Sequence, residues 1–170
     1  MKHWCRMKSL IGDLIVVEQD GKLLEIGFST GRRPAKPPAD GSESAAPFED
    51  VIRQLEEYFA GTRMVFDLPL APQGTAFQLR VWKALLEIPF GRAVSYSDIA
   101  NAIGNPKAVR AVGLANGRNP IPVVIPCHRV IGKDGSLTGY GGGLPIKEKL
   151  LALEGIATDT RGRKNFALFE

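Results

Sequence analysis

Residues 120–131 read PIPVVIPCHRVI. Proline locks φ and lacks a backbone N–H, so Pro120, Pro122 and Pro126 together forbid a helix here. The Ile and Val content still demands burial. A chain carrying this stretch must therefore bury an irregular segment and fold regular elements around it. Inside that segment a thiol, an imidazole and a guanidinium stand in a row, at Cys127, His128 and Arg129. Three meanings are open for Cys127. Most free cysteines are inert and buried. A redox thiol wants a resolving partner, commonly at C-x-x-C spacing, and Cys5 lies far away in the sequence. A nucleophile needs its thiolate stabilised by cations, a helix N-terminus or a base, which His128 and Arg129 would partly supply. Residues 127–135 read as a strand or an extended turn. On a strand, adjacent side chains point to opposite faces, so Cys127 and His128 cooperate only if the chain turns or a water bridges them.

Composition narrows the class. With 170 residues, 44% hydrophobic and 24% charged, the chain can bury a real core. No apolar run approaches the roughly 20 residues of a membrane span, and MKHWCRMKSLIGDL has no apolar signal-peptide region. A cytoplasmic protein with no membrane partner is expected. Two cysteines do not indicate a disulfide framework. His3, Cys5, Cys127 and His128 lie in pairs at opposite ends of the chain, so no metal and no cofactor are expected. Residues 1–71 hold 9 Lys/Arg against 11 Asp/Glu, and residues 72–170 hold 13 against 7. The basic excess of the second half suggests an anionic partner, although solvated surfaces often carry as much.

The pattern predicts an α+β fold: a small N-terminal antiparallel sheet with a helix, then a mostly helical C-terminal domain with a helix-turn-helix and Cys127. The expected domains are 1–71 and 72–155, followed by a weakly structured tail at 156–170. DLIVVEQ and LLEIGFS flank Asp20-Gly21, a hairpin signal, and HWCRMKS reads as a third strand. The Pro/Gly/Ser-rich 31–47 reads as a mobile loop. Phe48, Val51, Ile52, Leu55 and Phe59 form a helical stripe that Gly61 closes. VFDLPLAPQG reads as a short strand and a linker. Thr75 and Gln78 spell a capping box for a helix burying Phe77, Val81, Trp82 and Leu85. The next helix starts at Ser95 or Ser97 and stops at Gly104. Asn105 as N-cap with Pro106 behind it opens the second helix of the pair. The last helix starts at Pro145, with Gly155 past its end.

Several residues need a choice between packing and chemistry. Ala108, Ala111, Gly113 and Ala115 leave the second helix of the pair nearly bare, with Arg110 projecting among them. Close helix packing explains the small residues equally well and the lone cation less well. Tyr96 reads as half-buried packing, Asn119 as a turn residue and Tyr140 as a loop anchor. Glu154 sits at a helix C-terminus, against the macrodipole, which hints at a specific partner.

Together these residues resemble the O6-alkylguanine-DNA alkyltransferases, also called methylated-DNA–protein cysteine methyltransferases. IPCHRVI, VSYSDIANAIGNPKAVRAVG, NGRNPIPVVIPCHRVI and GYGGGLPIKEKLLALEG carry the resemblance across about residues 74–155. The first 70 residues match only in general style. The resemblance implies that Cys127 takes an alkyl group from O6 of guanine, and also from O4 of thymine, once and irreversibly. It implies a relay in which Glu154 orients His128 and His128 reaches Cys127 through a water. Asn119 would brace the turn, and Tyr96 would donate to the departing base. Arg110 would fill the hole left by a flipped nucleotide. Ser95, Tyr96, Ser97, Lys107, Ala108, Ala111 and Gly113 would lie along the DNA. Tyr140, Val130, Pro122 and Gly141 would line the base pocket. The implied partner is double-stranded DNA containing O6-alkylguanine, met in the minor groove with little sequence preference by a monomer. Other readings are a non-catalytic DNA-binding module and, more weakly, a thiol hydrolase or redox enzyme.

Overall fold

A computed structural model describes residues 1–158 and 164–165. It begins with three antiparallel strands, β1 (Lys2–Met7), β2 (Leu14–Gln19) and β3 (Lys22–Phe28). The β2–β3 hairpin turns at Asp20 and Gly21, with φ of 53° and 77°. Two successive positive φ values match the twist of the flanking strands, which is why Asp-Gly signals such a turn. A short edge strand, β4 (Gly41–Glu43), runs parallel to β1, giving the order β3-β2-β1-β4. Residues 31–47 are therefore not the free loop that their composition suggests. They supply β4, and Ala35 donates its N–H to the Phe28 carbonyl at 2.7 Å. Ala35 also covers Ile15, Val17 and Leu24 on the second face of the sheet, so β2 reads as a continuous apolar run with no alternation.

Helix α1 (Glu49–Phe59) lies on the other face and buries Val51, Gln54, Leu55 and Tyr58. It ends in a Schellman motif: Gly61 N–H reaches Tyr58 O and Thr62 N–H reaches Glu57 O. The strand expected within 65–74 is reduced to one bridge between Leu23 and Leu70. Pro69 and Pro72 limit the ladder there.

Helix α2 (Ala76–Leu85) opens on the Thr75/Gln78 capping box and buries Val81, Trp82 and Leu85, while Phe77 is only half-buried. Next come β5 (Val94–Ser95), α3 (Tyr96–Ala102) and α4 (Val109–Gly117). The start of α4 differs from the sequence expectation. Asn105 and Pro106 do not open it; residues 105–108 make a turn closed by Ala108 N–H to Asn105 O, and Ala108 is the N-cap. Proline suits the second position of such a turn as well as a helix start. Helices α3 and α4 pack together, and Trp82 Nε1 donates to Ala115 O at 2.8 Å to hold α2 against α4.

Strand β6 (Val130–Ile131) pairs in parallel with β5. Helix α5 (Leu144–Leu153) follows, and then two short antiparallel strands, β7 (Ala157–Thr158) and β8 (Lys164–Asn165). Of the expected tail, these strand residues and Ile156 are the described part. Arg161 and Arg163 of the tail lie outside the described residues. One apolar core runs from Cys5 and Met7 in β1 through Leu55 of α1 to Val81, Val112 and Leu150. Among the described residues no helix is long and apolar enough to cross a membrane.

Candidate active site

The proline-marked segment is buried from Ile121 to Val130 and is irregular, as its sequence requires. Two devices shape it. Pro126 has φ −81° and ψ 63°, an inverse γ-turn, closed by Cys127 N–H to Ile125 O at 2.8 Å. Val123 has φ 75°, a region that β-branched residues avoid and that costs about 1–3 kcal/mol. Asn119 holds this strained turn together. Its Nδ2 donates to Ile125 O at 2.7 Å and its Oδ1 accepts from Ile121 N at 3.0 Å.

Cys127, His128 and Arg129 then form a single 3-10 turn. At about three residues per turn, neighbouring side chains are no longer forced to opposite faces. This removes the parity obstacle that a strand would pose. His128 is fully buried and Cys127 nearly so.

Glu154, the C-cap of α5, is brought back to this turn. Its Oε2 meets His128 Nε2 at 2.6 Å, Tyr58 Oη at 2.6 Å and Arg129 Nη2 at 3.1 Å. Its Oε1 accepts from Arg129 Nε at 2.7 Å and Gly91 N at 3.0 Å. The position of Glu154 depends on Gly155, whose φ of 79° ends the helix so that Ile156 N–H returns to Leu151 O. Arg129, two positions from the thiol in sequence, is spent on this carboxylate and on Ile88 O at 2.6 Å.

The electrostatics follow from burial. Burial alone would raise the Glu154 pKa, but the hydrogen bonds and charges of His128 and Arg129 outweigh it and hold the carboxyl far below its usual range. Burial pushes His128 below the ordinary histidine value, although Glu154 pulls the other way. We take His128 as neutral near pH 7, because Arg129 is permanently charged and keeps Glu154 ionised without an imidazolium. An ionised Glu154 can only accept, so Nε2 carries the ring proton and Nδ1 is left as an acceptor. That Nδ1 is buried and meets no hydrogen-bond donor among the described residues. Burial also raises the Cys127 thiol, opposed in turn by Asn119, the Lys147 charge and Tyr140. The resting group is a thiol.

The remaining expected residues are placed as follows. The Tyr96 hydroxyl bonds the Thr138 hydroxyl in the 132–143 loop. Tyr140 lies in the same loop, with its hydroxyl buried beside Cys127 and its ring 5.7 Å from that of Phe28. Val130 and Pro122 are buried, and Gly141 is exposed. Arg110 and Ala111 are exposed on α4 and Lys107 in the preceding turn, while Ala108 and Ser97 are half-buried. A Cβ at Gly113 would reach the Tyr96 ring at 3.9 Å. Ser95 departs from its expected place on the surface. It is 4% exposed, and its hydroxyl caps α3 by accepting from Asp98 N at 3.1 Å.

Three site residues escaped the sequence reading. Tyr58 falls at i+7 from Val51 and i+3 from Leu55, so the α1 stripe contained it, but Phe59 drew the assignment. Lys147 is fully buried, donating to Val130 O at 2.7 Å and Thr138 O at 3.4 Å. Burial lowers it to about 8. Its place between Ile146 and Leu150 on the buried face was the available signal. Asn116, reaching Cys127 O at 3.4 Å, had none. A cleft of about 150 Å³ lined by Phe66, Leu86, Phe90, Pro126 and Arg129 does not include Cys127. Among the described residues no group of three or more His, Cys, Asp or Glu could hold a metal ion.

Comparison with known proteins agrees over nearly the whole chain. Residues 3–72 match the family model for the ribonuclease-like domain of 6-O-methylguanine DNA methyltransferase. Residues 76–156 match the model for its DNA binding domain. A methylated-DNA–protein-cysteine methyltransferase of Methanosarcina barkeri is 53% identical over 148 residues, covering 87% of this chain and 94% of that one. The constitutive enzyme of that name from Bacillus subtilis is 43% identical over 166 residues, covering 92% and 98%. A crystal structure of Mycobacterium tuberculosis OGT in complex with DNA has a TM-score of 0.84 at 45% identity, covering 89% of this chain and 92% of that one.

Proposed function

The chain belongs to the O6-methylguanine DNA methyltransferase family, and on that premise we propose that it repairs duplex DNA by moving an alkyl group from O6 of guanine, or O4 of thymine, onto Cys127. The observation that carries this is the buried thiol beside a His128–Glu154 pair whose free ring nitrogen is an acceptor. His128 Nδ1 takes the thiol proton through a water, and Glu154 holds the tautomer that makes this possible. The thiolate attacks the alkyl carbon. The S–C bond forms as the C–O6 bond breaks, and the electron pair leaves with the base, to which Tyr96 donates.

Burial favours completion. A thiolate in this setting is disfavoured, whereas the thioether product carries no charge, so transfer removes the penalty. Thioether formation is irreversible here, and each molecule acts once. The reacting atom lies inside the base stack, so the nucleotide must be flipped out at a cost of a few kcal/mol. Arg110, exposed on α4, would fill the gap, and the small residues Ala108, Ala111 and Gly113 suit a minor groove only about 6 Å wide. Recognition is then largely independent of sequence, by a cytoplasmic monomer. Intact-mass spectrometry after incubation with an O6-methylguanine duplex tests the reading. Cys127 should gain one methyl group and repair should stop at one equivalent. Repeated turnover would sink the mechanism, and tight binding without mass gain would favour a non-catalytic damage-binding module.

A further inference from the structure

One donor to Glu154 comes from far outside the segment that carries Cys127. Tyr58 lies near the C-terminal end of α1, 96 positions before Glu154. Its side chain is fully buried, boxed by Phe59, Phe66 and Phe90 with ring centroids 5.5, 5.3 and 6.2 Å away. A phenylalanine would fill such a box equally well. The hydroxyl is there for Oε2 of Glu154, 2.6 Å away, the same oxygen that receives His128 Nε2 at 2.6 Å.

A carboxylate oxygen has limited lone-pair capacity, and Oε2 divides it among Tyr58, His128 and Arg129. We propose that Tyr58 is a positioning residue of the proton relay: by donating to Oε2 it limits the negative charge that Glu154 presents to His128, and so sets the basicity of the imidazole that receives the Cys127 proton. This deepens the alkyl-transfer reading and rests on it. It also makes the N-terminal half a contributor to the site, because the relay is complete only when α1 is docked.

The charged and titratable groups acting on His128 are Glu154 and Lys147 from α5, Arg129 and Cys127 from its own turn, and Tyr58 from α1 through Glu154. Tyr140 faces the thiol from the 132–143 loop. Of these, Tyr58 can lose its hydrogen bond without removing a charge or a ring. The test follows the ring nitrogens of His128 by 15N NMR across pH in the DNA-free protein. In Tyr58→Phe the midpoint should rise by about half to one pH unit, as Glu154 turns more of its charge toward the imidazolium. An unmoved or lowered midpoint overturns the proposal, including the case in which thermal stability falls while the titration stays put. A 3-fluorotyrosine introduced at position 58 alone is a stronger donor and should move the midpoint down, which keeps the test decisive if Tyr58→Phe does not fold. Methyl gain by Cys127 with an unmoved titration overturns this inference alone. A shifted titration with no methyl gain overturns the alkyl-transfer reading and the relay role with it.

Discussion

His128 and Cys127 are both held away from their ordinary ionisation by burial, and the consequences oppose each other. The thiol is harder to ionise, while the imidazole stays neutral, and so able to accept, to lower pH than usual. The transfer rate should therefore hold as pH falls through 6.5, the ordinary histidine value, and drop only below it, where His128 finally protonates. Single-turnover rates across that range check this, and a fall centred on 6.5 itself would contradict it. The strained Val123 and its brace Asn119 belong to the same scale. The prolines announced an irregular turn, but no local pattern in PIPVVIP says that a valine takes a positive φ. The surrounding bonds from Asn119 over-determine it.

At the level of elements, local signals did well where one side chain satisfies one backbone group. The Thr75/Gln78 box and the Asp20-Gly21 turn need only their neighbours in sequence. Ser95 shows the limit: the same serine could cap a helix or face DNA, and no local pattern distinguishes the two, whereas the structure shows the capping bond. Ser95→Ala should lower stability by about 1 kcal/mol, read from urea midpoints, and should change DNA affinity much less; an affinity loss larger than the stability loss would return Ser95 to the interface. The reverse holds on α4. Arg110 is exposed, so Arg110→Ala should leave stability within about 0.5 kcal/mol. It should slow repair of a duplex more than it weakens binding, as rapid-quench and binding assays would show. Equal losses would contradict a role in flipping. The start of α4 was misplaced because Asn-Pro is a good opening for a helix and also for a turn.

Across the whole molecule, the two halves share one core, and a few polar and charged side chains are buried with it. Lys147 puts a charge there whose cost depends on pH. Its folded-state value of about 8 lies below the ordinary 10.5, so between those values the unfolded chain binds more protons than the folded one. Stability from this group rises across that window and is lowest below it. Lys147→Met should abolish the rise, on the order of 3 kcal/mol, while leaving the carbonyls of Val130 and Thr138 without their donor. Denaturant midpoints of both proteins at the two ends of the window decide it, and identical pH slopes would show that Lys147 carries no such cost.

The sequence by itself determined what short-range chemistry can determine. Helical stripes, capping residues and turn residues placed most of the elements, and three prolines required a buried irregular segment around Cys127. The motif resemblance supplied His128 and Glu154 as partners. Only the tertiary structure decided the rest. It brought Tyr58 from α1 onto Glu154, turned Arg129 away from the thiol and onto the carboxylate, and sealed Lys147 under the 132–143 loop. These contacts join residues up to 96 positions apart. Nothing in the spacing encodes such pairings, because they form only when two separately specified elements bury their faces in one core and the polar groups trapped between them must find each other.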